Sequence, residues 1–300
     1  MKVRIGYGLG TQGFATNGRF LKLVDGLERL GFDSLWLAER ATGSVSDPLV
    51  ALAVAAGRTS RLKLGTSVLV LPGRNPVLLA KALASLDRLS QGRLLLAMGL
   101  GIAEPLEQQA FGVEREQRAA WFDEALPLIR RLWTEDAVDH AGPRFRLRGL
   151  RLGLKPIQCP LEVWLGGRAP SELRRTGRLG EGWLASFCTP EEAAQGKSVV
   201  DEAAARAGRA IDPEHFGVIV RYARGTIPAD LAARRPGVDV SAIVPLGLAA
   251  LRARIEAFIQ VGFSKFVLVP AEEPADWGRE LEEVAQAVLA NFQALDARAG

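Results

Sequence analysis

The sequence predicts a (β/α)8 TIM barrel of the α/β class. Three observations carry this. Short apolar strand-like segments alternate with helical ones along the chain. Eight such units fit within 300 residues. The apolar segments, Leu69-Val70-Leu71 for example, are continuous rather than alternating, as suits a parallel sheet buried on both faces. A doubly wound open sheet is the alternative for the same rhythm.

Val3–Leu9 reads as the first strand, and Phe20, Leu23, Val24, Leu27 and Leu30 mark one face of a helix that Gly31 stops. The second strand is Ser34–Ala38. Asp47 then caps a helix with Pro48 in its first turn, running to about Arg58. Leu62–Leu71 is the third strand, Pro76–Ser90 the third helix and Leu94–Met98 the fourth strand. Glu114–Trp133 is a long helix that Pro127 is expected to kink. The rhythm breaks over about 138–160, where Phe145 and Leu147 alternate with arginines in a hairpin-like insertion. It resumes with strand Glu162–Leu165, helix Ser171–Leu179, strand Gly182–Ala185, helix Pro190–Ala207 and strand Phe216–Tyr222. A second insertion, at about 226–246, opens with the polar, Pro-containing Thr226–Asp239 and is read as a lid. Helix Gly247–Val261, strand Lys265–Val269 and helix Trp277–Leu295 close the chain. Residues 1–300 read as a single domain.

Composition narrows the function. The chain is 48% hydrophobic and 24% charged, which excludes disorder and fibrous repeats. No apolar run is long enough to cross a bilayer, and the first residues enter a strand without a signal-peptide core, so a cytoplasmic protein is expected. Net charge is only +4, with 38 basic residues interspersed among 34 acidic ones, which argues against a nucleic-acid surface. His140 and His215 stand far apart with no second ligand at metal spacing, so no metal site is expected. Cys159 and Cys188 form no disulfide framework, and Cys188 reads as a buried inert thiol.

Barrel chemistry sits past the C-terminal ends of the strands. Those positions hold Gly10-Thr11-Gln12, Glu39-Arg40, Gly99-Leu100-Gly101 and Gly166-Gly167-Arg168. Gly166-Gly167-Arg168-Ala169-Pro170-Ser171 lets backbone approach a ligand and offers helix N–H groups to an anion, with Arg168 adding charge. An ordinary strand–helix turn accounts for it equally well. Glu39 and Arg40 read either as a general base beside an anion anchor or as a self-neutralising pair. Gln12 either holds a ligand or caps its loop. No Ser-His-Asp set can be assembled, so a cofactor is expected to carry the hard step.

These residues also carry a family resemblance. Gly65-Thr66-Ser67-Val68, Asn75-Pro76, Leu86-Asp87-Arg88-Leu89-Ser90-Gln91-Gly92-Arg93 and Gly99-Leu100-Gly101 resemble the bacterial luciferase-like monooxygenase superfamily. Trp164-Leu165-Gly166-Gly167-Arg168 with Gly180-Glu181-Gly182-Trp183 is similar to its second signature, and the likeness runs from Val3 to about Leu289. It implies a barrel with insertions that binds reduced FMN or coenzyme F420, and the pattern resembles the F420-dependent oxidoreductase branch more closely. It also implies a cis Ser67–Val68 bond propping the cofactor ring, contacts from Glu39, Val70, Leu100 and Gly101, and a phosphate loop at Gly166, Gly167, Pro170 and Ser171.

The F420-dependent glucose-6-phosphate dehydrogenases of that branch depart from this chain. Arg40 stands for their histidine, Ile102 for their second carboxylate (with Glu104 close by), and Thr189 near their phosphate-binding lysine. Sugar-phosphate oxidation by their route is therefore not expected. Arg40 is suited to anchoring a carbonyl or carboxylate, and Gln12 matches a pocket-facing position.

Three functions follow from the resemblance. The first is an F420-dependent oxidoreductase, with Arg40 and Gln12 on a small substrate and Glu39 on the coenzyme. The second is an FMN-dependent monooxygenase that uses O2 and takes reduced flavin from a separate reductase. The third is a non-catalytic flavin-binding protein. A homodimer through helices near the second and third strands is also implied. No nucleic-acid or membrane partner is expected.

Overall fold

The structure, a computed structural model, describes residues 1–11, 13 and 16–292. Nine parallel strands form the central sheet: β1 (Arg4–Gly8), β2 (Ser34–Leu37), β3 (Lys63–Thr66), β4 (Leu69–Val70), β5 (Leu94–Gly99), β8 (Val163–Gly166), β9 (Gly182–Ser186), β10 (Phe216–Tyr222) and β11 (Lys265–Pro270). The strands β6 (Val138–Ala141) and β7 (Arg146–Leu150) form a separate antiparallel hairpin. The sheet order is β3-β2-β1-β11-β10-β9-β8-β5-β4, and β3 also pairs with β5. That pairing closes the sheet, with β3 and β4 sharing one position of an eight-membered ring. The predicted barrel is therefore observed, and the open sheet is not.

Helices α1 (Asn17–Leu30), α2 (Pro48–Arg58), α3 (Pro76–Leu89), α4 (Pro105–Phe111), α5 (Arg115–Thr134), α6 (Pro170–Leu179), α7 (Pro190–Arg206), α8 (Ala229–Ala233), α9 (Gly247–Gln260) and α10 (Trp277–Val284) follow the strands. A π-turn at Ala285–Leu289 and a short α11 (Ala290–Phe292) end the described chain; the remainder of the predicted closing helix lies outside the described residues. Asp47 caps α2 by accepting from the N–H of Leu49 at 2.8 Å, and Asn75 caps α3 through Val77 at 2.9 Å. Such caps each stabilise by about 1 kcal/mol. Among the described residues no helix is long and apolar enough to cross a membrane.

Several elements differ from expectation. The third strand is two short strands, and the peptide between Ser67 and Val68, which separate them, is cis, as the family resemblance implies. Pro127 lies inside α5, which runs on through it. Helices α4 and α8 went unpredicted; both are too short for a helical period to show. The hairpin of the first insertion is present and rests on α5, with Phe145 edge-on to Trp121 at 5.3 Å. The second insertion carries α8 and packs Leu231, Ile243 and Val244 against Ala223 and Ala271.

Side chains alternate along each barrel strand. On β10, Phe216, Val218, Val220 and Tyr222 face the helices within the main core, whereas Ile219 faces the lumen. The lumen is filled by Trp36, Ala97, Trp164, Leu184, Val267 and Val269. This plug closes the barrel below and leaves an open mouth above Val68 and Ile219.

Much of both sequence signatures is structural. Asp87 accepts from the N–H groups of Ile157 at 2.6 Å and Gln158 at 3.0 Å, tying α3 to the segment before β8. Glu181 pairs with Arg130 and accepts from the N–H of Val163 at 2.9 Å. Trp183 donates through Nε1 to the carbonyl of Gly167 at 2.8 Å, fixing the turn that follows β8.

Candidate active site

A cavity of about 310 Å³ opens at the C-terminal end of the barrel. Ser67, Val68, Val70, Leu100, Gly101, Gly166 and Gly167 line it together with Glu39 and Arg40, so most of the expected site residues converge there. Gln12 lies outside the described residues. Arg168, Pro170 and Ser171 do not line this cavity; Arg168 lines an adjoining one of about 670 Å³, and Glu172 borders both.

Val68 forms the floor. A Cβ on Gly99 would stand 2.7 Å from its Cγ2, and one on Gly166 would stand 2.7 Å from its Cγ1. The two glycines at the ends of β5 and β8 thus leave room for the isopropyl group to project between them. With Leu100, Leu184 and Ile219, it gives an apolar bed on which a flat ring can lie. The residues present fit the ring of a flavin or deazaflavin.

Glu39 follows β2, with its side chain only 6% exposed. It accepts from the N–H of Val70 at 2.7 Å and pairs with Arg74. Burial raises its carboxyl above the usual range, which Arg74 and the Val70 N–H oppose without cancelling. Arg40 instead donates to Glu104 at 2.7 Å and to Glu107 at 3.3 Å. The self-neutralising Glu39–Arg40 pair is therefore not formed. Each residue pairs with a segment far along the chain.

Glu107 is the residue that sequence reasoning missed at this edge. It also accepts from the N–H groups of Ala41 at 3.2 Å and Thr42 at 2.9 Å, and from the Thr42 hydroxyl at 2.6 Å. Burial pushes its carboxyl up, but these donors outweigh burial and hold it below the ordinary range. Its only sequence signal is a carboxylate shortly after a barrel strand. Glu104, noted beside Ile102, spends its charge on Arg40.

The turn after β8 is also more occupied than expected. The N–H groups of Arg168 and Ala169 each donate to Glu172 Oε2 at 2.9 Å. Two of the donors expected for a phosphate are thus taken by the chain's own carboxylate. The Arg168 guanidinium reaches the Phe187 carbonyl at 3.2 Å. Arg175 and Arg178 both pair with Asp123.

Cys188 is buried and its thiol is pushed up to about 12, first by burial and then by Glu192, so it is no nucleophile. His140 bonds Glu124 at 3.0 Å, and His215 Nδ1 meets the Glu181 carbonyl at 3.0 Å; both serve structure.

Residues 2–287 match the luciferase-like monooxygenase family. The chain belongs to that family. It is 33% identical over 249 residues to a Mycobacterium tuberculosis protein assigned as a coenzyme F420-dependent oxidoreductase, covering 79% of this chain and 70% of that one. It is 33% identical over 192 residues to the F420-dependent glucose-6-phosphate dehydrogenase of Kineococcus radiotolerans, a match spanning 61% of this chain and just over half, 56%, of the relative. The monooxygenase RslO1 from Streptomyces bottropensis superposes with a TM-score of 0.81 at 23% identity, over 96% of this chain and 99% of that one, and so shares the fold. Relatives named as F420-dependent enzymes and as a monooxygenase thus surround this luciferase-like chain.

Proposed function

We propose that the protein is an F420-dependent oxidoreductase acting on a small organic substrate at the barrel mouth. The observation that carries this reading is the apolar bed made by Val68 between Gly99 and Gly166, with the buried Glu39 carboxylate fixed at its edge. The F420-dependent names of the relatives at 33% identity support the choice of coenzyme. When bound, the deazaflavin supplies a hydride donor or acceptor at C5.

The chain's own residues bind and orient. Ser67, Val68, Val70, Leu100, Gly101, Gly166 and Gly167 would hold the ring, and Glu39 would meet its polar edge. Arg168, Pro170 and Ser171 remain the proposed phosphate end, with Glu172 competing there. Arg40, held by Glu104 and Glu107, shapes the rim and presents to substrate only the donors those carboxylates leave. Gln12 keeps its proposed substrate role. Positioning and charge stabilisation are the protein's part of such a reaction.

The match to the luciferase-like monooxygenase family favours one second reading: an FMN-dependent monooxygenase fed by a separate reductase. Calorimetric titration of the protein with F420 and with FMN, each oxidised and reduced, separates the two. Micromolar F420 binding with weak FMN binding supports the first reading. Preference for reduced FMN, with oxygen consumption, overturns it in favour of the second, and binding of neither overturns both.

A homodimer is part of the proposal. Val50 and Val54, a helical turn apart on α2, are 65% and 46% exposed, and Leu78 on the neighbouring α3 is 70% exposed. Sedimentation should show a dimer that Val50→Lys dissociates; a monomeric wild-type chain rules this out.

A further inference from the structure

Most of the charged side chains around the mouth are engaged by other groups of the described chain. Glu39 is matched by Arg74, Glu107 by Arg40, and Arg234 by Asp230 at 3.2 Å, while Glu172 is spent on backbone N–H groups. Arg221 also lines the cavity. Among the described residues its guanidinium has no hydrogen-bond or ion-pair partner.

Its position follows from strand geometry. Arg221 shares the lumen-facing side of β10 with Ile219, one rung nearer the mouth, and pairs in register with Val269 of β11. In the ring order β10 lies opposite β3, so Arg221 faces the wall that carries Val68. Gly10 packs beside it: a Cβ at that position would stand 2.6 Å from Arg221 Nη2. Burial, and then the like charge of Arg234, push its guanidinium down to about 10 against the attraction of Asp230, so it stays charged at neutral pH. Arg221 is half-buried in the cavity wall, where an anionic group of a ligand can reach its guanidinium.

We propose that the substrate of this barrel carries a carboxylate, and that Arg221 is the residue that binds it across the cavity from the Val68 bed. The inference rests on reading the mouth as a cofactor-and-substrate site. A guanidinium with no hydrogen-bond or ion-pair partner among the described residues suits an anionic group, and its planar fork matches a carboxylate with two parallel hydrogen bonds. The wall opposite is left to the coenzyme ring. Arg40 was the anchor expected from sequence, but its charge is consumed by Glu104 and Glu107; Arg221 takes that part.

The test uses the full chain and three probes of one shape: benzoate, benzamide and phenyl phosphate. Calorimetric titrations are run on the wild type, Arg221→Met and Arg221→Lys, with circular dichroism to establish folding. Benzoate should bind the wild type at least tenfold more tightly than benzamide. Arg221→Met should lose at least tenfold in benzoate affinity, about 1.4 kcal/mol, with benzamide unchanged, and Arg221→Lys should fall between. Equal binding of benzoate and benzamide overturns the proposal. So does unchanged benzoate affinity in both variants, or binding of phenyl phosphate in place of benzoate. F420 titration of the same proteins keeps the two readings apart. Benzoate binding that depends on Arg221, without F420 binding, leaves this inference standing and removes the coenzyme. F420 binding that is lost in Arg221→Met, without a benzoate effect, assigns Arg221 to the coenzyme and overturns the inference.

Discussion

Glu172 Oε2 lies 2.9 Å from the backbone nitrogen of Arg168 and at the same distance from that of Ala169. It is half of a capping box, since Ala169 has no side-chain oxygen to return the bond. The carboxylate therefore occupies donors at the start of α6 that a phosphate would otherwise take. Glu172→Gln should cost about 1 kcal/mol of stability. Removing the like charge, worth roughly 1 kcal/mol at 4 Å in water, should raise FMN or F420 affinity several-fold. Riboflavin, which lacks the phosphate, is the control. An equal change for riboflavin and FMN would show that the phosphate does not approach this turn.

Val68 and Gly166 make a second test. In Gly166→Ala the new Cβ meets Val68 Cγ1 at 2.7 Å, so the isopropyl group must move. Overpacking of this kind costs about 1–3 kcal/mol. Cofactor affinity should drop at least tenfold as the bed is displaced. Val68→Ala in the same chain should recover part of the stability, and a double-mutant cycle that finds the two substitutions additive contradicts direct contact.

The two buried carboxylates of the rim should titrate with opposite sign. Glu107 is held below 4.5, so its contribution is present above that value and is lost as pH falls through the folded one. Glu39 is held above 4.5, so its contribution is present below that value and is lost as pH rises through the folded one. Melting temperature against pH should thus show a shallower acid limb in Glu107→Gln than in the wild type. Glu39→Gln should gain on the wild type as pH climbs above 4.5. Parallel curves for all three proteins would rule out this assignment.

Glu107→Ala removes the acceptor shared by Ala41, Thr42 and Arg40. Leaving such donors unpaired costs about 2 kcal/mol. Urea unfolding should register that loss, and Glu104→Ala, at an exposed carboxylate, should lose well under half as much.

Thiol labelling checks the packing around the adjoining cavity. Cys159 is exposed and should react quickly with a disulfide reagent at pH 8, whereas Cys188, pushed up to about 12, should react only on unfolding. Fast reaction of Cys188 in the native protein would contradict its burial.

The barrel, its helix caps and the residues at its strand ends are legible in the amino-acid sequence alone. Those are local properties: the side-chain period of a strand or helix, the reach of Asp47 or Asn75 to the next turn, and glycine where backbone crowds. They are enough to place Glu39, Leu100 and Gly166 at one mouth, whereas Val68, inside the strand read over Leu62–Leu71, is placed there only by the family resemblance. Which charges meet is settled by the tertiary structure and by nothing local. Glu39 finds Arg74 and not its neighbour Arg40; Arg40 finds Glu104 and Glu107; Arg221, hidden in the apolar run Phe216–Tyr222, is left facing the cavity. Closing the sheet through β3 and β5 brings strand ends from the whole chain onto one rim, so a charge's partner is set by ring position rather than by sequence spacing. Periodicity tells which way a side chain points, and closure of the barrel decides what it points at.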